Sequence, residues 1–301
     1  MARRGRPARK AGRDAGFATG SALSICNDMA VIQVPHQHAH ASAVAGEFAH
    51  ELRWLCFTWD SVGPGDAGAR RGGETLLGRP GGWSLIATFR PFAPPGGDAA
   101  AGQPWRSAAA LAWELGLDWT PADLDTGLVR AAWETRVNCP ATSSVGRLFE
   151  AASALLGLVL HACQESEGSM AVEALADTAS ADGMEDAVSL PLTKRADGVW
   201  QADWAPMVPM LLNPAWSPER RAAAFHASLA TALVTQVIAA GLIHGDFAVG
   251  LTGGVFQNRR LSELVLDRLK AAGFRAYLLA SVPCSDAGLS FGQVVEALAR
   301  Q

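Results

Sequence analysis

The fold is decided by the stretch AVGLTGGVFQNRRLSELVLDRLKAAGFRAYLLA, which spans residues 248–280. Its first five residues predict a buried strand, and the glycine pair that follows predicts a tight turn into a helix over residues 258–273. A second strand is predicted over residues 275–280, and another helix over residues 287–300. Strand, helix and strand in this order predict a parallel pair joined by a right-handed crossover, so we expect an α/β protein.

Upstream of this stretch, apolar runs and amphipathic segments predict a continued alternation of strands and helices. The predicted strands cover residues 31–34, 54–60 and 83–91. The predicted helices cover residues 36–52, 104–116, 122–135, 145–158, 170–177 and 218–241. Clusters of glycine and proline predict loops, which cover residues 63–66, 72–74 and 94–98. Residues 164–200 are predicted to form a largely irregular insertion.

The composition excludes several classes of protein. With 301 residues, of which 49% are hydrophobic and 18% charged, the chain can bury a core and is no collagen, disordered tail or disulfide scaffold. No run reaches the roughly 18 to 20 consecutive apolar residues of a membrane span. The longest apolar segment, residues 222–243, is interrupted by polar side chains and is predicted to be a buried helix.

The charge is unevenly distributed along the chain. The formal net charge is −4, but residues 1–13 carry six positive charges, which leaves −10 on the remainder. An acidic body argues against a nucleic-acid partner, because phosphate binding needs clustered positive charge. Residues 1–30 are predicted to be a basic, disordered segment, interpreted as a solvated tail or an interaction arm. Their apolar part is too interrupted for a secretory signal.

The five cysteines are odd in number and widely spaced, and no Cys-x-x-Cys pair occurs. The pattern therefore predicts neither a zinc ribbon nor a thioredoxin motif. It favours the reducing cytoplasm. No membrane partner is expected.

Two histidines and two aspartates form a candidate metal site. His36 and His40 stand at positions i and i+4 of a predicted helix, so both side chains can converge on one metal. Asp60 ends a predicted strand and Asp286 follows the last one, and ligand groups gather at such strand ends. Two imidazoles with two carboxylates suit iron or zinc. The alternatives are surface or core histidines, and a helix N-cap at Asp286.

Two further motifs precede predicted helices. The turn at residues 253–258 lets the backbone approach a phosphate at a helix N-terminus, although tight packing would also explain its glycines. The hydroxyls of residues 142–144 could cap the next helix. Alternatively they bind a phosphate or a carbamoyl-type amide, with Arg147 as an anion partner.

Nine segments, in this order along residues 31–301, resemble the C-terminal transferase module of the hydrogenase-maturation carbamoyltransferases, the HypF family. They are VPHQHAH (34–40), FTWDSVGPGD (57–66), GGE (72–74), FRPFAPPGGDAA (89–100), PWR (104–106), NCPATSSVGRLFEAASALLGL (138–158), SEG (166–168), GGVFQN (253–258) and VPCSDAGLSFGQ (282–293). The resemblance extends to the threonylcarbamoyl-tRNA enzymes and the antibiotic O-carbamoyltransferases.

The resemblance implies the two-lobed α/β fold shared by actin, Hsp70 and sugar kinases, with a nucleotide between the lobes. Residues 31–140 would form a partial first lobe and residues 141–301 the elements of the second. The first lobe is expected to be incomplete, because residues 1–30 do not match the family's first strands.

The resemblance also implies the cofactors and their contacts. Iron or zinc would be held by His36, His40, Asp60 and Asp286. ATP or carbamoyl-adenylate would contact Gly63, Gly65, Glu150, Gly168, Gly253, Gly254 and Asn258. The candidate catalytic residues are Ser143, Ser144 and Arg147.

The family's reaction moves a carbamoyl group from carbamoyl-adenylate to the C-terminal cysteine of HypE. The implied partners are therefore the HypE C-terminal tail and an adenylate-forming module supplied by another protein, since this chain shows no such module. The alternatives are transfer to another acceptor, a small-molecule hydroxyl or tRNA, and an inactive truncated paralogue that acts as a binding partner. Three positions depart from the family's pattern: Gln37 replaces a histidine, Glu150 an aspartate and Ser166 a tyrosine.

Overall fold

The computed structural model describes residues 10–14, 30–64, 70–122, 124–179 and 186–301. The strands are β1 Lys10–Asp14, β2 Ala30–Val34, β3 Trp54–Pro64, β4 Arg70–Gly78, β5 Ser84–Phe89, β6 Leu192–Lys194, β7 Trp200–Ala202, β8 Ala248–Thr252 and β9 Ala276–Leu278. The α-helices are α1 His36–Glu47, α2 Pro104–Glu114, α3 Gly127–Glu134, α4 Val145–Leu155, α5 Glu167–Asp177, α6 Met207–Leu211, α7 Pro218–His244, α8 Arg259–Ala271 and α9 Leu289–Ala299. Short 3₁₀ turns cover Gly97–Ala101, Gly254–Gln257 and Asp286–Gly288.

Seven of these strands form one mixed sheet in the order β6-β7-β5-β4-β3-β8-β9. The predicted parallel pair is confirmed, because β8 pairs with β9 in parallel, with Val249 opposite Ala276. Strand β3 is also parallel to β8, whereas β4 runs antiparallel to β3. The carboxyl ends of β3 and β8 and the start of β4 therefore lie at one edge of the sheet, where ligand sites form in α/β proteins.

The two faces of the sheet are covered by different helices. Alternate β3 side chains, Phe57 and Trp59 among them, join the larger apolar core with residues of α2, α4 and α7. Trp54 and Cys56 face the other side, where they pack with residues of α1. This alternation follows from the two-residue period of a strand. The α/β prediction is thus confirmed, with helices on both faces of a largely buried sheet.

Helices α1 and α9 cross at very short distance. A Cβ atom built on Gly292 of α9 would lie 1.8 Å from the carbonyl oxygen of Ala39 in α1. Only glycine permits such an approach of two backbones. The crossing brings the chain that leads into α9, and with it Asp286, against the first turns of α1.

The N-terminal segment differs in part from the sequence prediction. Strand β1 pairs in parallel with β2 as a separate two-stranded sheet, so residues 10–14 are not disordered. The rest of the predicted basic segment lies outside the described residues, apart from Ala30 at the start of β2. Gly65 of the predicted glycine loop also lies outside them.

The prediction of a loop at residues 72–74 is wrong, because these residues belong to β4. Glycine is required there by close approach rather than by a turn. A Cβ atom on Gly72 would lie 2.4 Å from the carbonyl oxygen of Asp60, and one on Gly73 would lie 2.2 Å from that of Ser143. Strands β6 and β7 were also missed, since strands of three residues depend on their pairing partners.

Helix α7 alone, among the described residues, is long and apolar enough by length and composition to cross a membrane. However, 56% of its apolar window is buried within the protein. Its buried side chains extend from Ala222 to Ala240 and include the polar His226 and Gln236. The predicted buried helix over residues 222–243 is therefore present, with Leu242 and Ile243 exposed near its end.

We expect Gly292→Ala to destabilise the protein by about 1–3 kcal/mol, because the added methyl group must separate α1 from α9. The measurement is the free energy of unfolding in urea. Gly102→Ala is the control, since its Cβ would meet no atom closer than 4.0 Å and its φ of −89° suits alanine. The control should change stability by less than about 0.5 kcal/mol. Equal effects of the two substitutions would contradict the role assigned to Gly292.

Candidate functional site

The structure brings the four predicted metal ligands together at the edge of the sheet. One ligand atom from each of His36, His40, Asp60 and Asp286 lies within 4.8 Å of all the others. His36 and His40 stand one turn apart on α1. Asp60 lies where the pairing of β3 with β4 shifts register between Trp59 and Gly63. Such an irregularity re-aims a side chain, and here the carboxylate reaches the histidines.

The spacing of these atoms fits a four-coordinate metal. The Nε2 atom of His36 lies 3.1 Å from Asp60 Oδ2 and 3.5 Å from Asp286 Oδ1. The Nε2 atom of His40 lies 3.5 Å and 3.3 Å from the same two oxygens, and 3.2 Å from His36 Nε2. Ligands at 2.0–2.1 Å from a tetrahedral zinc are about 3.3 Å apart. The donor set therefore suits the metal types predicted.

The carboxylates favour positive charge in this cluster. Burial alone would lower the pKa of His40, but hydrogen bonds with Asp286 and Asp60 outweigh it and raise the pKa. Burial alone would raise the pKa of Asp60, but hydrogen bonds from His36 and His40 hold it well below its usual range. The arrangement thus attracts a cation, either a proton or a metal ion. His38 is turned away, as predicted, and lies 3.7 Å from Glu296.

Ser144 holds the backbone that presents Asp60. Its hydroxyl lies 2.6 Å from the carbonyl oxygen of Asp60 and 2.8 Å from that of Ser61, and can donate to either. The same oxygen accepts from the amide of Arg147 at 3.0 Å, which caps α4. The capping interpretation of the hydroxyl motif therefore applies to Ser144, and it links α4 to the candidate metal centre.

Ser143 contacts a residue that sequence reasoning did not select. Its hydroxyl donates to Glu74 at 2.5 Å, and Thr88 donates to the same carboxyl oxygen at 3.2 Å. The backbone amides of Gly72 and Gly73 donate to the other oxygen. Burial raises the pKa of Glu74, although these donors oppose the shift. Glu74 belongs to the GGE motif of residues 72–74, but only the two glycines of that motif entered the prediction, as a loop.

A cavity of about 320 Å³ adjoins the cluster on the side of α4 and α5. Its lining includes Ser61, Gly254 and Asn258. A Cβ atom on Gly254 would lie 3.0 Å from Asp60 Oδ1, so the cavity opens directly beside the candidate metal centre. Gly253 has φ +98° and would clash with the carbonyl oxygen of Trp59 if it carried a Cβ. Glycine is thus required in this turn by close packing against the backbone of Trp59, which is one of the two alternatives that the sequence left open.

Other predicted nucleotide contacts do not line this cavity. Arg147 forms a buried ion pair with Glu150, with 2.6 Å between Nη1 and Oε2. Burial raises the pKa of Glu150 to about 7, and Arg147 opposes this shift. Gly168 packs against Ser153 of α4, which its missing side chain permits. Neither Glu150 nor Gly168 lines the 320 Å³ cavity, and Gly63 stands near the end of β3.

Asn258 is oriented by a buried histidine that the sequence analysis missed. Its side-chain oxygen accepts from the amide of Leu261 at 2.8 Å and caps α8. Its Nδ2 donates to Nε2 of His226, 3.1 Å away, while His226 Nδ1 donates to the carbonyl oxygen of Ala222 at 2.8 Å. His226 is fully buried. This chain of hydrogen bonds fixes the neutral form of His226 and the direction of Asn258.

Comparison with known proteins identifies relatives of the chain. Residues 56–293 match the family described as carbamoyltransferase, Kae1-like domain, second subdomain. A carbamoyltransferase HypF homolog from Cupriavidus necator is 36% identical over 276 residues, which cover 87% of this chain and 69% of the relative. Carbamoyltransferase HypF of Rhodobacter capsulatus is 34% identical over 285 residues, which cover 90% of this chain and 36% of the relative.

Solved structures show the same fold. A full-length HypF crystallised in a phosphate- and nucleotide-bound form superposes with a TM-score of 0.84 at 23% identity. HypF of T. kodakarensis gives the same TM-score and identity. Both superpositions cover 94% of this chain, but only 38% and 39% of the other. The chain thus spans less than half the length of these solved proteins.

We expect His226 to make stability depend on pH. Burial lowers its pKa from 6.5 to about 4. As the pH falls below 6.5, the unfolded chain binds a proton at His226 but the folded protein does not. The free energy of unfolding should therefore fall by about 3 kcal/mol between pH 6.5 and pH 4, and His226 should not change it above pH 6.5. The measurement is the free energy of unfolding of wild type and His226→Gln between pH 4 and 7.5.

The difference between the two proteins should shrink as the pH falls. Glu150, whose raised pKa has the opposite effect, is common to both and cancels. A difference that stays constant with pH would refute the role assigned to His226.

Proposed function

Since the chain belongs to the HypF family of carbamoyltransferases, we propose that it transfers a carbamoyl group from carbamoyl-adenylate to the C-terminal cysteine of HypE in the maturation of nickel–iron hydrogenases. One observation carries the proposal. The cluster of His36, His40, Asp60 and Asp286 assembles where β3 ends, with a ligand-sized cavity beside Asp60. Asp60 and Asp286 lie within residues 56–293, which match the family.

The proposed metal is iron or zinc, held by the four side chains of the cluster. Its ligand spacing and its excess of carboxylate charge support this assignment. When bound, the metal would neutralise charge on the donor phosphate, which can lower a barrier by several kcal/mol. Ser144 contributes by holding the backbone at Asp60 and Ser61, so that the carboxylate stays directed at the histidines.

The proposed donor site is the 320 Å³ cavity, whose volume lies at the lower end of the range for small-molecule pockets. In this proposal the phosphate lies against the glycine turn near Asp60, where the dipole of α8, which begins directly after the turn, favours an anion. Asn258, held by His226, stays oriented in the cavity lining. These features favour an anionic nucleotide derivative such as carbamoyl-adenylate.

In the proposed reaction, the bond between the carbamoyl carbon and the phosphate oxygen breaks while a carbon–sulfur bond forms to the acceptor. AMP leaves, and the thiol proton is released to solvent. The acceptor supplies the nucleophile. The chain's own cysteines near the site are poor nucleophiles, because burial raises the pKa of Cys56 and Cys284 and so disfavours their thiolates.

The proposed partners are HypE and a separate module that forms the adenylate, because the region similar to the family is the transferase domain. We place the reaction in the cytoplasm. The four cysteines of the described chain are unpaired there, as a reducing compartment requires.

We expect the purified protein to contain about one iron or zinc per chain, as four protein ligands hold one metal. The double variant His36→Ala, His40→Ala should lose it, because two of four ligands are removed. The measurement is metal content by plasma mass spectrometry. His38→Ala is the control, since His38 shares the helix but faces Glu296. Absence of metal from wild type, or metal retained by the double variant, would refute the assignment.

We expect wild type supplied with carbamoyl-adenylate to form thiocarbamate on HypE, detected by mass spectrometry of its C-terminal peptide. Gly254→Val should raise the KM for the donor at least about tenfold, equivalent to 1.4 kcal/mol of lost binding, because its side chain would enter the cavity beside Asp60.

Cys284→Ser and Cys139→Ser should retain transfer, since the acceptor supplies the thiol. If metal-loaded wild type yields no thiocarbamate on HypE, the proposed function is wrong. If it transfers but Gly254→Val leaves the KM unchanged, the donor cavity is wrongly assigned.

A further inference from the structure

Glu74 is a buried carboxylate to which the proposed function assigns no role. It lies in β4 and is only 2% exposed. A carboxylate that leaves water is costly unless other donors replace the water molecules that it loses. The donors that Glu74 has found therefore show which parts of the chain it holds in place.

The two oxygens of Glu74 bind different segments of the chain. Its Oε2 atom accepts from the backbone amides of Gly72 and Gly73, at 2.7 Å and 3.0 Å. Its Oε1 atom accepts from the hydroxyl of Ser143 at 2.5 Å and from that of Thr88 at 3.2 Å. Glu74 therefore ties the start of β4 to a segment that lies 69 residues later in the chain.

The two tied segments meet at the backbone of Asp60. A Cβ atom built on Gly72 would lie 2.4 Å from the carbonyl oxygen of Asp60 and 3.2 Å from the Cβ atom of Ser144. The hydroxyl of Ser144 donates to the same carbonyl oxygen at 2.6 Å. Gly72 and Ser144 thus form a socket for the carbonyl group of Asp60, which we call the Asp60 socket. Glu74 binds Gly72 directly and binds Ser143, the neighbour of Ser144.

Backbone contacts also bring the two segments together, but they lie beside the socket. The amide of Ser143 donates to the carbonyl oxygen of Arg70 at 3.2 Å. A Cβ atom on Gly73 would lie 2.2 Å from the carbonyl oxygen of Ser143. Close packing sets how near the segments can come. The four hydrogen bonds to Glu74 add a directional restraint on where they stand relative to each other.

We propose that Glu74 is a positioning residue of the candidate metal centre: it holds Gly72 and Ser143, and so fixes the socket from which Asp60 reaches the metal. The inference rests on the metal site of the proposed function, but not on the identity of donor or acceptor. An aspartate side chain is short, so a shift of its backbone moves the carboxylate relative to the histidines of α1. Groups that orient metal ligands typically change metal affinity about 10- to 100-fold when they are removed.

The test measures the affinity for Zn²⁺ alone, by competition with a chromophoric chelator and without donor or acceptor. We expect Glu74→Ala to weaken binding about tenfold. Glu74 lines a cavity of about 230 Å³, so water can take the place of the carboxylate and the variant should fold. Ser143→Ala, which removes one of the four donors, should weaken binding several-fold.

Glu74→Gln tests whether hydrogen bonding rather than charge is what matters. Its amide oxygen can still accept from Gly72 and Gly73, while its nitrogen can donate to the oxygen of Ser143. We expect its affinity for Zn²⁺ to stay within about threefold of wild type, since an amide keeps the shape and most hydrogen bonds of the carboxyl group.

Thr75→Val is the matched control. Thr75 follows Glu74 in β4, is buried, and donates from its hydroxyl to Gln236 of α7 at 2.8 Å. The substitution removes a buried hydrogen bond from the same strand but none from the Asp60 socket. It should therefore lower the free energy of unfolding in urea, measured for every variant, and leave the affinity for Zn²⁺ unchanged.

The outcomes separate this inference from the proposed function. Unchanged affinity in Glu74→Ala and Ser143→Ala would overturn it, and so would an equal loss in Thr75→Val or Glu74→Gln. If Glu74→Ala does not fold, Ser143→Ala against Thr75→Val decides. If wild type binds no Zn²⁺, both this inference and the proposed metal site are wrong. If the affinity depends on Glu74 as expected but no thiocarbamate forms on HypE, the positioning role stands and the proposed reaction is wrong.

Discussion

The crossing of α1 and α9 is the contact on which the candidate metal centre depends. His36 and His40 stand on α1, and Asp286 leads into α9, so the ligands meet only if the two helices touch. Gly292 permits that contact. Glu296 fixes its register, since its buried carboxylate accepts from Ser42 of α1 and from Trp83. Any other crossing would leave the buried carboxylate of Glu296 without these hydrogen bonds, which costs free energy. The donors therefore favour one arrangement of the two helices.

The ends of β3, β4 and β8 surround the ligand that the sheet contributes to this contact. Because β3 and β8 are parallel and β4 begins at the same edge, Asp60 lies between the glycine turn after β8 and Gly72 of β4. Ser144 connects both sides through the backbone at Asp60. Small residues are required where these segments meet, because backbone atoms approach within the space that a Cβ would need.

Much of this arrangement could be predicted from local pattern. The terminal strand–helix–strand unit has clear apolar periodicity, and its parallel pair is present. The four ligands could be selected because i and i+4 histidines share a helix face and aspartates at strand ends share a sheet edge. Prediction failed where pairing decides conformation. Gly72 and Gly73 suggest a loop by composition, yet they lie in β4, which pairs with β3, and neighbouring carbonyl groups leave no room there for a side chain.

The sequence by itself determined the fold class, the family and the residue types of the candidate centre, since these follow from periodicity, motif order and side-chain chemistry. Only the tertiary structure decided which polar residues meet. Glu150 pairs with Arg147 instead of lining the cavity beside Asp60, Asn258 is directed by His226 of α7, and Glu74 becomes a buried partner of Ser143. The physical reason is that burial makes every polar group find a partner, and that partner is often distant in sequence.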